Sequence, residues 1–178
     1  AFATVLGGKG NTVGSTGYYS VVSGGKGNSV EDSFATAAGG YRNTVGGQYA
    51  SISGGHLNVI AQTGDGAAIG GGKSNFVSNS NAVVGGGEGN SVSSAWASVL
   101  GGKGNECSSV YCAIGGGYLN DVTASYATVS GGFGNAVDGT YVSVGGGYGH
   151  TATTGATFGH IGGGMQNWLS AGYTTIAV

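Results

Sequence analysis

An all-β fold, a parallel β-solenoid of about eleven coils without helices, is what this sequence predicts, and three observations predict it. A Gly-Gly pair recurs in register eleven times, from Gly7-Gly8 to Gly163-Gly164. Asn follows the pair by three residues in ten of those repeats, Asn11 through Asn167, with His150 the one substitute. The step between pairs is 15 residues in seven intervals and 17 in the other three. A fixed short period running from end to end makes one repeat array, so residues 1–178 read as a single domain.

Composition narrows the classes. Gly supplies 43 of 178 residues and Pro is absent. A flexible linker has no reason to keep an apolar period, and collagen needs Gly at every third position, so neither describes this chain. The net charge of −2 offers no basic footprint for nucleic acid. No apolar run approaches the roughly 20 residues of a membrane span. The chain opens on Ala1 and not on Met, which predicts a processed or excised segment.

The columns of the array carry the strand reading. Two positions before each Gly-Gly stand Val5, Val22, Ala37, Ile52 and their equivalents through Ile161. Two positions earlier the residue is small, as in Ser20, Ala35, Ala50 and Ala67. Two positions after the Asn column stand Val13, Val30, Val45, Ile60 and so on to Leu169. Small and β-branched residues at period two predict two short strands per repeat, each with one face inward. Gly supplies a positive φ or a tight corner, and Asn is expected to turn the chain by tolerating the left-handed region and bonding nearby backbone. One unit cannot bury its own apolar face, but stacked coils can, each adding about 4.8 Å. The three longer repeats carry their extra residues in one place, within Gly14–Tyr18, Ala61–Asp65 and Thr153–Thr157, which predicts one exposed edge.

Two further columns are aromatic. Five positions before the pair stand Phe2, Tyr19, Phe34, Tyr49, Gly66, Asn81, Trp96, Tyr111, Tyr126, Tyr141 and Phe158, and Tyr173 continues them. Strand alternation would aim this column away from the core. Either the rings cover one another at a corner or they form an interface, since a monomer rarely exposes so long an apolar stripe. The column after the pair runs Lys9, Lys26, Tyr41, His56, Lys73, Glu88, Lys103, Tyr118, Phe133, Tyr148 and Met165. Tyr118, Phe133 and Tyr148 form a run of consecutive aromatics, read either as a partly covered ladder or as a stacking surface for sugars. The candidate contact residues are therefore Trp96, Tyr111, Tyr126 and Tyr141 in one file and Tyr118, Phe133 and Tyr148 in the other.

Catalytic chemistry finds no foothold in the pattern. His56, His150 and His160 fall in three different columns, and the seven carboxylates form no recurring acidic column. The glycine turns lack the Gly-Lys-Ser/Thr ending of a phosphate loop. Cys107 and Cys112 replace inward residues on either side of one turn, either as a disulfide or as two buried thiols. Two cysteines without a nearby His make no zinc site. No catalytic residue, metal site or cofactor is expected. The outward columns are too irregular for a continuous Thr rank, which leaves ice binding as a third reading.

The unit Ala-Ser/Thr-Val-x-Gly-Gly-x-x-Asn-x-Val, as in Ala97–Asn105 and Ala127–Asn135, resembles the repeats in heads of trimeric autotransporter adhesins and in some phage tail fibres. The resemblance covers essentially the whole chain. It implies a left-handed β-roll, often trimeric, that displays adhesive surfaces outside the cell or virion. The expectation is therefore a non-enzymatic, extracellular adhesion or receptor-binding module. Glycans or a cell-surface receptor would be its partners, and self-association as a trimer or filament is expected. The rival expectation is a structural subunit of a filament or coat, because both chain ends fall inside a repeat and unpaired strand edges invite stacking.

Overall fold

The computed structural model describes residues 2–177, and the array is a parallel β-solenoid. Its strands are two residues long, from Thr4–Val5 to Thr175–Ile176. Alternate strands separate into two parallel sheets. Sheet I has 12 strands, eleven of them just before a Gly-Gly and the last, Thr175–Ile176, beyond the final pair; sheet II has 11, ten of them just after an Asn and one, Thr151–Ala152, just after His150. No helix occurs among the described residues, and hence none long and apolar enough to cross a membrane.

Register follows the repeat without slippage. Val5 pairs with Val22 and Val13 with Val30, and so on along each sheet. Backbone bonds run from each coil to the next, as from Val21 N–H to the Ala35 carbonyl at 3.0 Å. A third line of contacts joins the coils through the column after Gly-Gly, where single bridges link Lys9 to Lys26 and continue to Met165. Each coil therefore has three sides, the two predicted strands and one bridge residue. With one strand spacing per coil the rod is about 50 Å long.

The core is thin and ordered by column. The second residue of each strand points inward, as Val22, Ile52 and Val99 do from sheet I and Val30, Ile60 and Val92 from sheet II, all fully buried. The small column lies against them, because a narrow coil has no room for two large rows. Where Gly159 interrupts that column, Leu169 fills the space: a Cβ on Gly159 would lie 2.2 Å from the Leu169 Cδ2.

The Asn column corrects its predicted role as a turn residue. These side chains lie inside, Asn28 through Asn135 being buried, and none of them adopts a positive φ. Each forms the same three bonds. The Asn43 backbone N–H donates to the Asn28 Oδ1 at 2.9 Å, and the Asn43 Nδ2 donates to the Gly39 carbonyl at 3.0 Å and the Gly55 carbonyl at 3.1 Å. One amide thus ties a corner of its own coil to the next, and a buried amide is tolerated only when so satisfied.

The second glycine of each pair makes that corner. Gly40 has φ +89°, and a Cβ there would meet the Gly55 carbonyl oxygen at 2.2 Å and the Asn43 Nδ2 at 2.6 Å. The longer coils extend a different corner, between sheet II and the aromatic column. There Thr16 and Thr63 donate hydroxyl hydrogen bonds to the Glu31 and Ser78 carbonyls of the following coil.

Candidate functional site: two aromatic files

The first aromatic column stands at the corner that leads from sheet II into sheet I. Its residues are turn residues and not strand residues, which corrects the reason given for their exposure. Tyr19, Phe34, Tyr49, Trp96, Tyr111, Tyr126, Tyr141, Phe158 and Tyr173 all adopt φ between 54° and 60°. The left-handed corner aims each side chain outward, and all are exposed. Because the coils are in register, the rings stack. Tyr111 and Tyr126 are 5.0 Å apart between centroids, Tyr126 and Tyr141 4.9 Å, and Tyr141 and Phe158 4.7 Å. Neighbouring rings cover one another's faces and present their edges outward.

The backbone makes this file more than a by-product of the repeat. A second column, directly after the bridge residue, shares the left-handed conformation, and there Gly10, Gly27, Gly89, Gly104, Gly134 and Gly149 predominate. Holding an L-residue in that region costs ~1–2 kcal/mol, and Gly avoids it. An aromatic pair returns ~0.5–1.5 kcal/mol beyond burial. Stacking therefore roughly offsets the strain and leaves little net gain for the coil.

The predicted contact residues fall into two separate files. Trp96, Tyr111, Tyr126 and Tyr141 belong to the first. Tyr118, Phe133 and Tyr148 stack in the bridge column, at 5.3 Å and 5.0 Å, and are likewise exposed. No ring of one file stacks on a ring of the other among the described residues. Earlier in the bridge column the character is polar: Arg42 and Lys26 lie over the Tyr41 ring, and Glu88 sits between Lys73 at 3.5 Å and Lys103 at 3.3 Å. Lys103, then Lys73, hold the Glu88 carboxyl below the usual carboxylate range.

Cys107 and Cys112 are joined in a disulfide, with Cα atoms 5.9 Å apart and both residues buried. The bond spans the corner of one coil from sheet II to the small column. On the outside of sheet II, Glu106 and Asp121 are paired across adjacent coils. Partial burial, then the charges of Glu106 and Asp138, push the Asp121 carboxyl up. No group of three or more His, Cys, Asp or Glu residues suited to a metal occurs among the described residues.

Charge is segregated around the coil, which reading each column alone did not bring out. All five cations lie at the Gly-side corner: Lys9, Lys26, Lys73 and Lys103 in the bridge column and Arg42 beside it. Six of the seven acids, Glu31, Asp32, Asp65, Glu106, Asp121 and Asp138, lie on sheet II or its following corner. The outer face of sheet I carries no Asp, Glu, Lys or Arg among the described residues. An open depression of about 300 Å³ lies on that face, lined by Leu100, Gly115, Thr128 and Ser130.

The chain matches no protein-family model and no curated protein.

Proposed function

We propose that this chain is a non-enzymatic binding module whose aromatic file holds an elongated partner outside the cell. One observation carries the reading: ten aromatic rings stand exposed in one file, nearly all in a strained backbone conformation that Gly or Asn would adopt more cheaply. Strain kept in coil after coil, with little return from stacking, speaks for contact with something else. The edges of the rings recur at one strand spacing, so an extended partner meets many weak contacts at once and avidity supplies the strength. Glycan chains or a fibrous receptor at a cell surface have that form. The disulfide between Cys107 and Cys112 supports an oxidising, extracellular setting.

The test replaces Trp96, Tyr111, Tyr126 and Tyr141 together by Asn. Asn is the chosen residue because Asn81 already occupies this column at φ 56°. The labelled variant should fold like the parent and lose most of its binding to cultured cells and immobilised polysaccharides. Undiminished binding by a folded variant removes the file from the function.

A second reading rests on the uncharged outer face of sheet I. Interface cores are depleted in charge, and this face runs the whole rod beside the aromatic file. Self-association through it, as a trimer or a lateral filament, would bury the depression near Leu100. Light scattering decides: a mass near that of one chain across concentrations contradicts the second reading.

A further inference from the structure

The aromatic file is interrupted once, and we infer that the interruption is a binding notch for the pyranose rings of an oligosaccharide. This inference rests on reading the file as a binding surface. Gly66 and Asn81 occupy two consecutive rungs between Tyr49 and Trp96. The backbone stays in register through the gap: Gly66 N–H donates to the Gln48 carbonyl at 2.7 Å, Asn81 N–H to the Asp65 carbonyl at 2.9 Å, and Trp96 N–H to the Ser80 carbonyl at 3.2 Å. Tyr49 and Trp96 are thus three rungs apart, about 14 Å, with two rings missing between them.

Tyr49 is stacked on Phe34 and Trp96 on Tyr111, so among the described residues of the file only this gap leaves two ring faces turned toward each other with no ring between. The missing rungs define the notch; Tyr49, stacked on Phe34 alone, is 61% exposed, against 46% for Tyr111, Tyr126 and Tyr141 in the unbroken run. The floor is polar. The Asn81 side chain leans into the space that Gly66 leaves, so that a Cβ on Gly66 would lie 2.9 Å from the Asn81 Oδ1. Asp65 stands beside it; its Oδ1 accepts the Gln48 N–H at 2.9 Å, and its other carboxylate oxygen has no partner among the described residues.

Ring faces at both walls with a carboxylate and a carboxamide between them suit a ligand with apolar C–H faces and a hydroxyl rim. A sugar ring has both. An aromatic side chain from another protein would stack equally well but leave Asp65 and Asn81 desolvated and unpaired. The missing rungs leave room for two rings in succession, which points to an oligosaccharide over a single sugar.

The decisive variant completes the file. Gly66→Tyr with Asn81→Tyr places rings where every neighbouring coil already carries one, and Gly66 at φ +67° has the conformation those rings adopt. Replacing Asn81 also removes the close approach to a Cβ at position 66. The probes are cellopentaose, chitopentaose and maltopentaose, titrated calorimetrically and by Trp96 emission in a Trp168→Phe background. At least one should bind saturably in the millimolar range or tighter. The completed-file variant, with unchanged circular dichroism and melting temperature, should bind about tenfold more weakly or not at all. Trp96→Asn, which removes one wall only, should weaken binding in calorimetry and guards against a folding defect in the double variant. Equal affinity in parent and both variants overturns the notch. Absence of saturable binding by all three sugars overturns it too. In either case cell-surface binding by the parent, lost in the four-ring Asn variant, leaves the wider file reading standing, so the two failures are separable.

Discussion

Gly101 and Gly102 are adjacent and identical in chemistry, yet they answer to different constraints. Nothing lies within 4 Å of a Cβ built on Gly101, whereas one on Gly102 meets the Gly117 carbonyl oxygen at 2.1 Å and the Asn105 Nδ2 at 2.7 Å, at φ +83°. Gly102→Ala should cost roughly 2–4 kcal/mol in chemical denaturation, and Gly101→Ala close to nothing. Both positions read Gly in every repeat, so spacing alone marks a corner without showing which residue makes it. The deciding distance is to the next coil. His150 offers the complementary case. Its Nδ1 accepts the Asn167 N–H at 3.1 Å and so reproduces the Asn oxygen, but its buried Nε2 finds no partner among the described residues. His150→Asn should therefore stabilise the array by about 1–2 kcal/mol, read as a rise in melting temperature. The periodicity exposes His150 as the odd member of its column. That the column is an interior amide ladder was not legible, because Asn serves turns as readily as ladders.

Strand pairing brings charges together that sequence distance conceals. Glu106 and Asp121 are 15 residues apart and paired in sheet II, with Asp138 in the following coil close enough to affect Asp121. Asp121 holds its proton more tightly folded than unfolded. It is therefore neutral to stability below its unfolded value and increasingly destabilising as pH rises through the folded one. Asp121→Asn should raise stability at neutral pH by a few tenths of a kcal/mol up to ~1, since the group is largely exposed, and should gain nothing at strongly acidic pH. Glu88 works in the opposite sense. Its lowered value contributes stability above the unfolded carboxylate range, lost as pH falls through the folded value, and screened by salt. The two strands per coil and the insertion-bearing corner follow directly from period and residue type. The conformation of the aromatic column does not. Alternation argues for exposure, and exposure is found, but the cause is a left-handed turn at Tyr111 and its equivalents. Aromatic residues are strand formers by preference and give no hint of that conformation.

Over the whole rod the columns divide the labour. Interior Val, Ile, Ala and Asn hold the coils in register, the Gly-side corner gathers the cations, sheet II gathers the acids, and sheet I with its bordering file is left uncharged. That division was present in the repeat layout and emerges once the columns are placed around one coil. The partner itself is not encoded in any single column, because a file of like side chains specifies shape and spacing more than chemistry. If the rings act as a repeated contact surface, their number governs how long a partner stays. The direct measurement is the dissociation rate from a captured cell-surface polysaccharide for a series in which Tyr111, then Tyr126, then Tyr141, then Trp96 are replaced cumulatively by Asn. A repeated contact surface gives a stepwise, multiplicative rise in that rate with each ring removed while the fold persists. A rate that stays constant across the series contradicts it.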